Sequence, residues 1–166
     1  MEGTCREDAM KIWIDADGCP KAVKEIVFRA SERLAVPVCL VANTPLTLPD
    51  SPLVSLILVP HGLDVADAHI AEAVAAEDIV VTADVPLAAL VVRKGAVAID
   101  PRGRPYTEET IGGQLASRDL LHSLRSREVI RGSGPPALGA KDVGRFASSL
   151  DKWLTKKLKS SQKPSE

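Results

Sequence analysis

Short apolar runs separated by stripes at helical spacing set the plan of this chain. Lys11-Ile-Trp-Ile, Val38-Cys-Leu-Val-Ala42, Ser55-Leu-Ile-Leu-Val59, Ile79-Val-Val-Thr82 and Ala96-Val-Ala-Ile99 are short and almost unbroken, as strands buried on both faces are. Between the first two, Pro20 suits the first turn of a helix, and Val23, Ile26, Val27 and Ala30 recur on one helical face. Asp64–Ala76 reads as a second helix with Ile70, Ala73 and Val74 inward. Pro86–Lys94 reads as a third, stopped by Gly95. This alternation predicts an α/β fold, a three-layer α/β/α sandwich around a mostly parallel central sheet of about five strands. The second connection is the exception. Thr44–Pro52 holds three prolines and is short for a helical crossover, so either that link is irregular or the third strand runs the other way.

After Asp100 the pattern changes. Pro101-Arg-Gly-Arg-Pro105 reads as a turn, and Thr107 as the N-cap of a helix reaching to about Arg127, weakened early by Gly112-Gly113. Arg131–Gly139 is a Gly/Pro loop. Val143, Phe146, Ala147, Leu150, Trp153 and Leu154 then form the stripe of a closing amphipathic helix. The reading is one domain over residues 10–159, with residues 1–9 and 160–166 expected to be disordered. No repeat and no second domain are visible.

Composition narrows the class. At 166 residues, 45% hydrophobic and 26% charged, the chain is ordinary for a globular domain. No apolar run approaches membrane-spanning length, and Met1–Ala9 has no secretory character. Cys5, Cys19 and Cys39 match neither a disulfide framework nor a spaced zinc site, which favours a reducing cytoplasm, with Cys39 as a small buried apolar residue. Net charge is −1, but residues 1–100 hold 8 Lys and Arg against 15 Asp and Glu, while residues 101–166 hold 13 against 7. An acidic centre beside a basic flank suits a metal-dependent enzyme acting on a polyanion. The bland alternative makes the last lysines, from Lys152 to Lys163, a solvated helix end.

The chemistry lies where the strands end. In a parallel sheet the tips Asp15-Ala-Asp17, Asn43, Thr82-Ala-Asp84 and Asp100 fall along the carboxyl edge, where open α/β sheets bind ligands. Carboxylates gathered there need a cation or a shared proton between them. Asp15 and Asp17, two residues apart, could face one ion. Asp64 and Asp67 sit on neighbouring positions of a helix start. The sites predicted for metal are therefore Asp15, Asp17, Asp64, Asp67 and Asp84, with Mg²⁺ or Mn²⁺ as the ion. The acids other than Asp15 have a plainer role open to them, since Asp17, Asp64 or Asp67, and Asp84 all stand where helices are capped. Cys19 opens the first helix, but no base is evident for it, and it reads as packing. His61 and His69 read as surface or helix-face residues. Arg102, Arg104, Arg118, Arg125 and Arg127 are candidate phosphate contacts, and aromatic content of 3% argues against extensive base stacking.

From Met10 to about Trp153 these residues resemble the YaiI/YqxD family of uncharacterised bacterial proteins. The marks are Ile-Trp-Ile-Asp15-Ala-Asp17-Gly-Cys19-Pro20, Val41-Ala-Asn43, Asp64-Val-Ala-Asp67, Thr82-Ala-Asp84-Val-Pro86-Leu-Ala, Asp100-Pro-Arg102-Gly103 and Arg118-Asp119. More distantly, Asp15, Asp67-Ala-His-Ile-Ala and Ile79-Val-Val-Thr82-Ala-Asp84 resemble the acidic motifs of PIN-like domains, which are metal-dependent RNases. The acidic residue usual on an intervening helix of that superfamily has no counterpart here. The resemblance implies a phosphodiesterase acting on RNA, with Asp15, Asp67 and Asp84 catalytic, Asp17 and Asp64 in support, and Asn43, Thr82, Arg102, Arg104 and Arg118 toward substrate. Two alternatives stand beside it. Ile-Asp15-Ala-Asp17-Gly18 also resembles the nucleophile motif of haloacid-dehalogenase-like phosphatases, although Asp64-x-x-Asp67 then precedes Thr82 in the wrong order. The other is a non-catalytic RNA- or protein-binding module with a relic acidic site.

Overall fold

The computed structural model describes residues 10–16, 19–62, 65–109, 111–112 and 139–162. The elements are β1 (Ile12–Asp15), α1 (Lys21–Leu34), β2 (Val38–Ala42), β3 (Val54–Leu58), α2 (Val65–Ala73), β4 (Ile79–Val81), α3 (Val85–Arg93), β5 (Val97–Ile99), β6 (Pro105–Tyr106) and α4 (Ala140–Gln162). They build one six-stranded sheet in the order β3-β2-β1-β4-β5-β6. All neighbours are parallel except β6, which runs antiparallel to β5. The expected α/β class and mostly parallel sheet are as the apolar runs indicated.

Side-chain alternation along the strands divides the core in two. Ile12, Ile14, Val38, Leu40, Ala42, Ile79, Val81 and Ile99 face α1 and α4. Trp13, Cys39, Val41, Val80 and Ala98 face the opposite way, onto Ile70 and Val74 at α2, Leu87, Ala88 and Val91 of α3, and Tyr106. The handedness rule for parallel crossovers explains which helix goes where. The chain moves from β1 to β2 in one direction and from β4 to β5 in the other, so α1 and α3 cover opposite faces. Between β1 and β4 the sheet therefore has its topological switch point, where a crevice opens at the carboxyl edge.

Several elements differ from the sequence reading. The link between β2 and β3 is irregular, as one of the two options had it, and β3 is parallel; the prolines of residues 44–52 exclude a helix there but not a crossover. A sixth strand, β6, occupies the end of what reads as a turn: Pro105 and Tyr106 pair with Ile99 and Ala98. Two residues are too few to show a period. Helix α4 continues to Gln162, past the expected end near Lys159. Glu108, Glu109, Ile111 and Gly112 are helical after Thr107, and the rest of that expected helix lies outside the described residues. Cys39 is fully buried in the core that faces α2 and α3, as expected. No helix among the described residues is long and apolar enough to cross a membrane.

At the amino edge, Asp78 fastens the sheet. It is 1% exposed, and its carboxylate accepts from Lys11 N at 3.1 Å, Trp13 Nε1 at 2.9 Å and Ala75 N at 2.9 Å. These donors come from the start of β1 and from the turn after α2, so one side chain holds three segments. Asp78→Ala would leave two buried N–H groups and the half-buried one of Ala75 without an acceptor, each buried one worth about 1–3 kcal/mol of desolvation. We expect it to lower unfolding free energy by about 3 kcal/mol or more in urea, read through tryptophan fluorescence, with Asp78→Asn costing less because one carbonyl oxygen remains.

Candidate active site

The register of the sheet decides what meets at the switch point. Ile12, Trp13 and Ile14 pair with Ile79, Val80 and Val81, so Asp15 comes level with Thr82. Both continue the alternation of Trp13 and Val80 and so project toward the α2–α3 face. There the Thr82 hydroxyl donates to Asp15 Oδ2 at 3.4 Å and accepts from Asp84 N at 3.0 Å. Thr82 is 2% exposed, which makes it a fixed strut between the tips of β1 and β4.

Asp84 does take the capping role that the sequence left open. It is the N-cap of α3, accepting from Leu87 N at 2.8 Å. That bond holds its carboxylate at the crevice and does not remove it from the site. Asp67 lies in the first turn of α2, and α2 packs over β1 and β2. Burial, the charges of Asp84 and then Asp15, and hydrogen bonding to both push Asp67 up to about 8. Three acidic side chains from three elements thus share one neighbourhood, and the Asp67 carboxyl is pushed up by the other two.

These acids do not form a finished metal cage. Among the described residues, no three His, Cys, Asp or Glu side chains are drawn together as a ligand set. Their donor chemistry suits a hard divalent cation, while their arrangement is that of carboxylates gathered around a proton. Asp17 and Asp64, expected as further ligands, and Arg118, expected at substrate, lie outside the described residues.

The remaining candidates are spread along the edge. Asn43 follows β2 on the same alternation as Cys39 and Val41, half-buried. Arg104 is exposed, and its backbone N–H and that of Arg102 donate to Asp100 Oδ1 at 3.1 and 2.8 Å. The Arg102 guanidinium is committed to Asp142 of α4 at 2.6 Å, so it clasps two elements together. Cys19 is buried in the α1 layer. Burial pushes its thiol up to about 12 against the opposing influence of Lys24, with Asp15 adding to the rise, so it remains protonated packing, as expected. His69 packs at 6.4 Å from the Trp13 ring, and His61 is exposed.

Tyr106 was not among the expected site residues. It is 7% exposed, and its hydroxyl donates to Thr82 O at 3.4 Å. Burial, then Asp100 and Asp84, raise its phenol above the ordinary value. It walls the crevice on the β6 side. The only signal in the sequence was a lone tyrosine after a proline.

A family described as "Uncharacterized BCR, YaiI/YqxD family" matches residues 13–156. The chain is 59% identical over 150 residues to a UPF0178 protein of Geobacter sulfurreducens, covering 90% of this chain and 99% of that one. It is 55% identical over 154 residues to a UPF0178 protein of Trichlorobacter lovleyi, covering 93% and 99%. A UPF0178 protein of a Shewanella species is 52% identical over 146 residues, covering 88% and 97%. No solved structure matches the chain significantly.

The raised Asp67 carboxyl gives a signed pH dependence. The folded chain holds this proton up to about pH 8, whereas an unfolded chain releases it near 4. Between those limits the folded state binds more protons, so stability falls as pH rises through the window. In EDTA, the Tm of the wild type is expected to drop between about pH 5 and pH 8.5. In Asp67→Asn that drop should be smaller, with the variant gaining on the wild type as pH increases.

Proposed function

The chain belongs to the YaiI/YqxD family, and on that premise we propose that it is a divalent-metal-dependent phosphodiesterase acting on RNA. The observation that carries this reading is the convergence at the sheet's switch point of Asp15, tied to Thr82, with Asp84 at the start of α3 and Asp67 in the first turn of α2, near enough that both of the others raise the Asp67 carboxyl. A carboxyl group held protonated by two carboxylates is a place where a cation can replace the proton. RNA as the substrate comes from the resemblance to PIN-like nucleases.

Asp15, Asp67 and Asp84 would hold Mg²⁺ or Mn²⁺, with Asp17 and Asp64 in support. When bound, such an ion supplies an activated water and offsets the charge that develops on the scissile phosphate. The chain's own part is to position and to shield. Thr82 steadies Asp15 by its hydroxyl, and the Leu87 N–H fixes Asp84. Asp67 gives up its proton as the site takes on positive charge. Tyr106 closes one wall against water, and its raised phenol stays neutral, adding no further negative charge. Asn43 is placed to orient water, and Arg104 is exposed for the phosphate chain. Arg102 serves that chain indirectly, by fixing the turn that carries Arg104.

Two measurements test the reading. Calorimetric Mn²⁺ titration near pH 7, repeated in buffers of different ionisation enthalpy, should show release of about one proton, the one held by Asp67. Asp15→Asn should lower metal-dependent RNA cleavage by more than about a hundredfold. Cleavage unchanged by Asp15→Asn would refute the assignment. Phosphate release from small esters through a trappable acyl phosphate would replace it with the phosphatase, and Mn²⁺ binding with no turnover on any polynucleotide with the binding module.

A further inference from the structure

Helix α4 buries Phe146, Leu150 and Leu154 against the sheet. At 100° per residue, Lys141, Arg145, Lys152 and Lys156 fall within about 60° of one another on the face turned away from that core, over about 22 Å of helix. All four are exposed, as are Ser148 and Thr155 on the same face. The helix's described acids flank the stripe, and each is already engaged. Asp142 lies between Arg102 at 2.6 Å and Arg145 at 3.7 Å, and Asp151 pairs with Arg33 at 2.8 Å. Among the described residues, Lys141, Lys152 and Lys156 have no carboxylate partner. Lys156 instead extends over the Trp153 ring at 4.9 Å.

We propose that this stripe of α4 is the docking face for a polynucleotide backbone. A merely solvated helix face mixes signs, whereas this one carries a single sign in a chain whose net charge is −1. Its position supplies the second argument. The β5–β6 turn is pressed against the amino end of α4. Gly103, at φ +91°, lies so close that a Cβ would come within 2.7 Å of the Arg145 backbone. That turn follows the carboxyl end of β5, next to Asp100 and Tyr106, whose surroundings include Asp84. A strand lying along α4 therefore reaches, at the helix's amino end, the carboxyl edge of the sheet, on whose other side the acidic crevice opens. With aromatic content of 3%, contact is to phosphates and not to bases, so binding is independent of sequence. The inference rests on the phosphodiesterase reading for the identity of the polyanion, not for the existence of the surface.

The test compares two variants of equal charge change, K141Q/R145Q/K152Q on the stripe and K21Q/R29Q/R93Q on exposed cations elsewhere. Binding of a fluorescein-labelled, mixed-sequence RNA of about 16 nucleotides is followed by anisotropy in EDTA. Salt is varied between about 50 and 200 mM. The stripe variant should bind about tenfold or more weakly and lose about 2 from the slope of log Kd against log salt, while the control changes little. Tm values matching the wild type establish that both are folded. Equal losses in the two variants, or none in the stripe variant, overturn the proposal. Tighter binding to phosphatidylserine vesicles than to RNA also overturns it. Stripe-dependent binding by a protein that cleaves nothing would uphold this face and remove the hydrolase. Cleavage undiminished in the stripe variant would do the reverse.

Discussion

Between β1 and β4 the crossovers leave for opposite faces of the sheet, and beside the gap that this creates Asp84 and Asp15 lie near enough to Asp67 to raise its carboxyl. Two carboxylates about 4 Å apart repel by about 4 kcal/mol at an effective dielectric of 20. In a chain whose net stability is about 5–15 kcal/mol, three together need either a proton or a cation among them. The protein holds the proton on Asp67. Much of the local architecture serves to keep the acids together despite that repulsion. The Thr82 hydroxyl ties the tips of β1 and β4, the amino end of α3 grips Asp84, and α2 carries Asp67 in its first turn, where its dipole favours negative charge.

Asp78 shows what a carboxylate with a purely structural task looks like in the same molecule. It sits deeper than Asp67, yet three N–H donors surround it, and burial is compensated bond for bond. Asp67 faces two further carboxylates instead. Burial alone therefore does not separate a functional acid from a supporting one; the sign of its neighbours does. Both residues are aspartates beside short apolar segments, so composition and spacing could not separate them. The distinction depends on contacts between Asp78 and residues 65 and 67 positions earlier.

What could be read from the chain follows the range of the interactions that fix it. The five parallel strands announce themselves because burial on both faces demands continuous apolar runs. The edge carrying Asp15, Thr82 and Asp84 follows from where those runs stop. The direction of β3 could not be settled, since a proline-rich link of that length permits either course, and only pairing with β2 decides it. β6 escaped because its pairing with Ala98 and Ile99 is set by the Asp100 turn, where Asp100 Oδ1 accepts from Arg102 N and Arg104 N. Arg102 was read as a phosphate contact because its partner, Asp142, lies 40 positions away on α4. An arginine bound for an ion pair and one bound for a ligand look alike until the partner's place is known.

The asymmetry of charge along the sequence takes on a spatial meaning once α4 is in place. Residues 1–100 supply the acidic crevice, and the described basic residues of α4 lie on the other face of the sheet. Opposite charges left free to approach would neutralise one another in surface ion pairs worth only about 0–1 kcal/mol each. The fold limits that exchange. The two described acids of α4 are taken up by Arg102, Arg145 and Arg33, leaving its outward lysines without a carboxylate partner among the described residues. The Arg102–Asp142 bond and the tight fit of Gly103 hold the amino end of the helix against the β5–β6 turn at the carboxyl edge, while its buried stripe keeps the basic face turned outward. The two signs are thus kept from cancelling each other, and the proposed use of both by one extended polyanion depends on that separation.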